Sequence, residues 1–475
     1  MYIEYNNPIQ KQVRRLLFWR LSLMMKQTSF FSVAIVLLGL FILCTSPGLL
    51  FSQTNDPIDL SKAIVLALEQ NEQALKIDAG RDASKARLAR ARSVFFPQIS
   101  FTGIYNRRPD NIERTLGDQT VTIQNLNALS GTANVSLLLF DPRSFPAYSQ
   151  VRNQYKSEEA RYNEARRLLS FDVAVMYLTT FSVDQVHEAA KHRLAFAQRT
   201  LDAARVRFNA GLVSKNDVTR GELELANAQR ELIRSGGDVR HTYLALSSLL
   251  CVSIDSPLTL PQEIFDAAEA ELPIHTQQSQ MALQLRQDIC ALRWQAQSMH
   301  AAAKEPLMRW FPSLTLNGQY RITNEAGLQG NNTSWYLGAT LNWTLFDGFA
   351  RFAENREKNA LARMADLDVT AAVRQIELSL QDARTGVEVS LSALKQARLA
   401  ETIARQNFDE TSELYLQGLS SALAVADANL RLFEAEVALV RERHGLALSL
   451  LELRTVLGLD PFGHEPVEST PLTIK

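Results

Sequence analysis

Ser334-Trp335-Tyr336-Leu337-Gly338-Ala339-Thr340-Leu341-Asn342-Trp343-Thr344-Leu345-Phe346-Asp347-Gly348 is the stretch that decides the fold. Trp335, Leu337, Ala339, Leu341, Trp343 and Leu345 fall on one side of an extended chain. Tyr336, Gly338, Thr340, Asn342 and Thr344 fall on the other. A period of two predicts a strand, because successive side chains in a strand point to opposite faces. The run is about ten residues long, which is what a tilted strand needs to cross a bilayer. Trp335 and Trp343 on the apolar side suit the two aromatic girdles of a membrane barrel. A soluble sheet with one face on a core alternates in the same way, so this pattern by itself leaves both readings open.

Working outward, Leu314, Leu316, Gly318, Tyr320 and Ile322 alternate with Thr315, Asn317, Gln319, Arg321 and Thr323. Ile99 to Asn106 and Ala133 to Phe140 are weaker copies, broken by Ile104 and Leu138. Polar loops rich in Asn, Gly and Asp separate each pair, near Arg107 to Ser130 and Asn324 to Ser334. Four membrane strands cannot close a barrel, the smallest having about eight. An open edge in lipid leaves backbone groups unpaired at high cost, and the remedy is association of chains. Two chains would supply about eight strands and three about twelve; strand number alone does not choose.

Beyond Asp347-Gly348 the periodicity changes. Val369, Val373, Ile376, Leu380, Ala383, Val387, Leu391 and Leu394 step by four and three, which is a heptad seam, with Arg374, Glu377, Asp382 and Arg384 off it. Phe349 to Gln417 contains no proline, and Phe145 to Ala210 is of similar length. At about 1.5 Å per residue each spans roughly 100 Å. Such charged helices run through water and pack against other helices; Ala195, Ala197, Ala203 and Ala204 permit close approach. Gly211 and Gly418 end the two stretches as helix C-caps, and a second helix follows each, making two hairpin tips.

The chain repeats itself. Phe96-Pro97-Gln98-Ile99 recurs as Phe311-Pro312-Ser313-Leu314, and Leu139-Phe140-Asp141-Pro142 as Leu345-Phe346-Asp347-Gly348. Arg207 to Leu212 is echoed by Leu414 to Leu419, and Leu249 to Val252 by Val456 to Leu459. Four matches in one order indicate an internal duplication with a unit of about two hundred residues, too long for a solenoid. The expected organisation is a signal peptide with an N-terminal extension (1–52), a first repeat of helix, two strands and helical hairpin (53–252), a linker (253–275), a second such repeat (276–460) and a tail (461–475). Pro97 and Pro312 end a helix and set the turn into a strand, and Asp141 and Asp347 open the long helices.

The 475 residues carry a net charge of −1, which gives no reason to expect nucleic acid or an acidic substrate. Mean hydropathy is slightly negative, against a polytopic inner-membrane protein. The apolar run Phe30 to Cys44 is preceded by Lys26 and followed by Ser46, Pro47 and Gly48, the order of a secretory signal, with cleavage between Ser46 and Gln53 and Met24 or Met25 as an alternative start. An N-terminal membrane anchor is the alternative. Leu43 stands where a lipoprotein signal needs a small residue, which argues against lipidation at Cys44. The exported part retains Cys251 and Cys290, read as unpaired buried thiols rather than a disulfide framework. Histidines are scattered without metal spacing, and no phosphate loop or nucleophile elbow is present. No cofactor, metal or catalysis is expected.

The duplicated Phe-Pro, Leu-Phe-Asp and Gly-Leu landmarks, the tip string Arg207-Phe208-Asn209-Ala210-Gly211-Leu212-Val213-Ser214 and the segment Tyr415 to Asp427 together resemble the TolC-like outer membrane efflux proteins, over roughly residues 57–460. The resemblance implies an α+β membrane protein: a homotrimer whose four strands per chain form a twelve-stranded barrel in outer-membrane lipid, continued by a periplasmic tube of long antiparallel helices. It implies passive efflux or type I secretion, with energy from an inner-membrane transporter of RND or ABC type and docking through a periplasmic adaptor. Adaptor contact falls to Gly211, Leu212, Val213, Ser214, Gly418, Leu419, Ser420 and Ser421. A gate is also implied, with Asp217, Tyr415 and Asp427 at matching positions. Ser420 stands where the family's lock has an arginine, and Ala424 where it has a second acid. Each gate residue has a plainer reading: Asp217 completes a capping box with Ser214, Tyr415 packs at heptad spacing, and Asp427 is a helix-surface acid. The alternative function is a periplasmic coiled-coil adaptor or scaffold, disfavoured because two pairs of bilayer-length strands alternate with the hairpins.

Overall fold

The computed structural model describes residues 58–116, 119–254, 256–270, 278–325 and 331–465. The signal segment, most of the C-terminal tail and part of the linker lie outside them. Elements run α1 (Leu60–Gln70), α2 (Glu72–Arg92), β1 (Gln98–Arg107), β2 (Ile112–Leu116), β3 (Gln119–Gln124), β4 (Asn127–Phe140), α3 (Ser144–Asn209) and α4 (Lys215–Leu250). Then come α5 (Gln262–Glu269), α6 (Gln278–Leu285), α7 (Gln287–Met308), β5 (Ser313–Thr323), β6 (Thr333–Asn342), α8 (Ala350–Leu416) and α9 (Ala422–Leu457). No helix among the described residues is long and apolar enough to cross a membrane.

The main sheet has the order β1-β4-β5-β6, every neighbour antiparallel. Its register sorts the side chains into two faces. Phe101, Ala133, Tyr320 and Trp335 form one cross-strand row, and Ile99, Val135, Gly318 and Leu337 the next on the same face. Ser100, Asn134, Gln319 and Tyr336 form a row on the opposite face, where Gln319 Nε2 donates to Asn134 Oδ1 at 2.9 Å. Leu138 stays on the polar face opposite Thr315; a bulge at Leu139 then returns Phe140 to the apolar face opposite Leu314. The bulge thus accounts for Phe140, while Leu138 remains an apolar side chain on the polar face.

Two expectations need correction. The loop from Arg107 to Ser130 contains a second hairpin, β2–β3, because the β-branched run Thr120-Val121-Thr122-Ile123 favours extended pairing. Strand β6 also stops at Asn342, so Trp343 and Leu345 sit in the turn towards α8 rather than on the strand.

The long helices α3 and α8 have 66 and 67 residues. Along α8 the heptad seam is the inward face: Ile376, Leu380, Ala383, Val387 and Leu394 are buried. The principal core lies midway along the helices, where the short helices α1 and α5 wrap them. Leu60, Ala63, Tyr177, Leu246, Leu250, Ile264 and Leu446 are each no more than 2 % exposed there. Full burial of a leucine is worth about 1.5–3 kcal/mol. The Tyr177 hydroxyl is hydrogen-bonded to the carbonyls of Ile58 and Thr259, at 2.9 and 2.8 Å, pinning two flanking segments to α3. Cys251 and Cys290 are free thiols, half-buried rather than buried.

Candidate functional site: sheet face, junction and hairpin tips

Three regions carry the residues that matter: the sheet, the turns from strand to long helix, and the tips about 100 Å away. On the sheet the apolar face is uncovered. Ile99 and Phe101 are each 76 % exposed and Trp335 75 %. Strands β1 and β6 are unpaired on their outer sides among the described residues.

At the turns, Phe96 is extended, as a residue before proline tends to be, and Pro97 leads straight into β1. Pro312 stands in the same relation to β5. Asp141 accepts from the Arg143 backbone at 3.1 Å and from its Nε at 2.8 Å. Asp347 accepts from the Arg351 backbone at 3.1 Å and from its Nε at 2.9 Å. Arg351 is buried, its guanidinium lying 4.3 Å from the centre of the Trp310 ring. The Trp343 indole donates to the Trp310 carbonyl at 3.1 Å. Arg309 and Lys358 both bind Glu305 and Glu354 beside this turn. Burial pushes the Glu305 carboxyl up, but Arg309 and Lys358 outweigh it and hold it below the ordinary range.

At the tips, Ala210 is the C-cap of α3 and Gln417 that of α8, so Gly211 and Gly418, read as the caps from sequence, each lie one residue beyond them. Both have positive φ, 70° and 79°, which a side chain resists. Leu212 N donates to Arg207 O at 2.9 Å and Leu419 N to Leu414 O at 2.8 Å, closing Schellman turns. Leu212 and Leu419 are exposed, and Val213 and Ser420 complete the bends. Ser214 caps α4: Asp217 Oδ2 accepts from its backbone at 3.2 Å and from its hydroxyl at 3.1 Å. Ser421 caps α9 by accepting from Ala424 N at 3.2 Å.

The three residues read as a gate are not brought together. The Asp217 carboxylate is engaged with Ser214 and lines a small cavity of about 20 Å³ with Arg220, Glu224 and Asn429. Tyr415 is only 5 % exposed and packs with Ala422, Val425 and Phe196; its hydroxyl has no partner among the described residues. Asp427 is exposed, with Arg431 Nε at 3.8 Å. Sequence reasoning missed Arg207. Its Nη1 donates to Tyr415 O at 2.7 Å, its Nη2 to Leu416 O at 2.9 Å, and its guanidinium lies 4.5 Å from the Tyr415 ring centre. An arginine in the last turn of a helix was the available signal, since carbonyls at helix ends lack partners.

The profile of the outer membrane efflux protein family matches residues 63–251 and 279–459. The chain is 24 % identical over 406 residues to the outer membrane protein TolC of Vibrio cholerae, covering 82 % of this chain and 89 % of that one. Its fold is similar to the crystal structure of VceC from Vibrio cholerae, with a TM-score of 0.68 and 18 % identity over 84 % of this chain and 96 % of that one. It is equally similar to the open state of the MtrE outer membrane channel of Neisseria gonorrhoeae, with a TM-score of 0.70 and 18 % identity over 85 % of this chain and 90 % of that one. With strands, long helices and family match in agreement, the chain belongs to the outer membrane efflux protein family and is a passive, TolC-like channel of the outer membrane rather than an enzyme.

Proposed function

We propose that three copies of this chain assemble into one exit duct, joining β6 of each copy to β1 of the next in a twelve-stranded barrel. The carrying observation is the sheet: one face is apolar and uncovered, the other is polar, and both edge strands are open. Lipid covers the first face and water the second, and closure removes the edges that hydrocarbon cannot tolerate. The long helices continue the duct through the periplasm. The exposed aromatic residues Trp310, Phe311, Trp343, Phe346 and Phe349 at the turns mark the periplasmic membrane interface.

The tips at Gly211-Leu212-Val213-Ser214 and Gly418-Leu419-Ser420-Ser421 receive a periplasmic adaptor, which links the duct to an inner-membrane transporter of RND or ABC type. Exposed Leu212 and Leu419 supply apolar contact there. Asp217, Tyr415 and Asp427 act at the narrowing end in different ways: Asp217 fixes the first tip, Tyr415 the second, and Asp427 offers charge to the lumen. Family membership speaks against the adaptor reading of this chain itself.

The decisive measurement is mass in detergent, where a stable monomer or dimer would sink the architecture. A paired substitution tests the faces. Leu341→Arg on the apolar face should cost roughly 2–4 kcal/mol if it lies near the bilayer midplane. Thr340→Arg on the polar face should leave trimer yield and heat-modifiability close to wild type. Equal damage from both would argue against a barrel.

A further inference from the structure

We propose that Arg207 is the clasp that joins the two hairpin tips of one protomer and resists the separation that opening of the duct requires; this rests on the channel reading above. The residue sits in the last turn of α3, in the first half of the chain, while both carbonyls it binds belong to the end of α8 in the second half. The last carbonyls of an α-helix have no partner within the helix and carry the negative end of its dipole. A guanidinium presents planar donors that satisfy two such oxygens at once, as Arg207 does for Tyr415 O and Leu416 O.

The side chain does a second thing: it covers the Tyr415 ring. Tyr415 is thereby enclosed by both halves, with Arg207 and Phe196 of α3 on one side and Ala422 and Val425 of α9 on the other. The two tips therefore move as one body while Arg207 is in place. Separating them exposes the tyrosine, takes the donor from the Leu416 carbonyl and leaves the Tyr415 carbonyl with Gly418 N alone, at 3.1 Å, a cost that opening has to meet. Nearby charges do not supply an equivalent link. Asp217 is engaged by Ser214 within its own tip. Arg207 is a positioning residue: it fixes one tip against the other without touching cargo.

The experiment uses the full-length trimer in detergent and in planar bilayers, comparing wild type with Arg207→Gln. Hydrogen exchange is read at residues 414–421 and, as an internal control, in the core around Leu246 and Leu446. The expected result is a roughly tenfold faster exchange at the tip, unchanged protection in the core, and a higher time-averaged conductance. Unchanged tip exchange overturns the clasp, and so does faster tip exchange with unchanged conductance. Arg207→Lys keeps the charge and the stem but not the two-point fork, and should fall between the two; it replaces the glutamine variant should that one not assemble. A wild-type trimer that never conducts sinks the channel reading instead, while the exchange difference still decides whether the two tips are clasped.

Discussion

Asp141-Pro142-Arg143 and Asp347-Gly348-Phe349 do the same job in the two halves of the chain: each turns a strand into a helix of more than sixty residues. They do it by different chemistry. In the first, Pro142 presets φ for entry into a helix, and Asp141 pairs with Arg143 two residues on, at the surface. In the second, Gly348 and Phe349 are both left-handed, at φ 66° and 68°. A left-handed phenylalanine is strained, and the surrounding contacts have to hold it there. Beside it, Asp347, the Thr344 carbonyl and the Trp310 ring are gathered on the buried Arg351. One turn is preset by proline and a local surface pair; the other leans on Arg351, with the Phe346 and Phe352 rings packed beside Phe349.

The largest effect should therefore separate the two arginines. Arg351→Ala removes the stacking on Trp310 and the bond to Thr344 O, and should cost roughly 2–4 kcal/mol. Arg143→Ala breaks an exposed pair and should cost about 0–1 kcal/mol. Denaturant midpoints of the protein in detergent read both. Similar losses would show that the turns do not differ in the way their contacts suggest.

The tips repeat the contrast more mildly. At the first, Asp217 accepts from both the backbone and the hydroxyl of Ser214; at the second, Ser421 makes one bond to Ala424 N, and no acid stands at that third position. Asp217→Ala should destabilise the start of α4 by about 1 kcal/mol, and Ser421→Ala the start of α9 by rather less. Hydrogen exchange of the first turn of each helix measures this. A greater loss at Ser421 would mean that the two bonds accepted by Asp217 at the first tip add nothing.

How far the sequence reveals these differences depends on the range of the interactions. Period two around Trp335 and the heptads from Val369 to Leu394 are local, and both correspond to what the chain forms: a strand face and a buried helix seam. The bulge at Leu139 could be seen only as a fault in the alternation. Its cause, a shift against β5, lies in a partner nearly two hundred residues away. The β2–β3 hairpin was hidden because polar composition between two strands reads as loop. The clasp at Arg207 was hidden for the same reason as the bulge. Nothing near Arg207 in sequence announces that its donors end on Tyr415 and Leu416. The capping box at Ser214 and Asp217, by contrast, was readable, because its groups are three residues apart.

The smallest effect expected concerns charge in the duct. The step that carries Gly211 onto Gly418 also carries Arg220 onto Asp427, so the two hairpins present opposite charges at equivalent places. Arg220 is half-buried and shares its cavity with Asp217 and Glu224, whereas Asp427 is exposed. In the proposed trimer the acid therefore has the better access to the lumen, and its three copies around the threefold axis would form a ring that favours cations. Arg431 stands 3.8 Å from that carboxylate, four residues along the same helix, and takes part of the field away. A single ring with a cation beside it should select weakly. Single-channel recording at low salt, where screening is least, is the right measurement. Asp427→Asn should lower cation over anion permeability slightly and weaken block by divalent cations, while Arg431→Gln should raise both. Arg220→Gln should change neither, because its charge is turned into the wall of the hairpin. Loss of selectivity from Arg220→Gln with none from Asp427→Asn would reverse the assignment and place the first hairpin, not the second, against the passing ions.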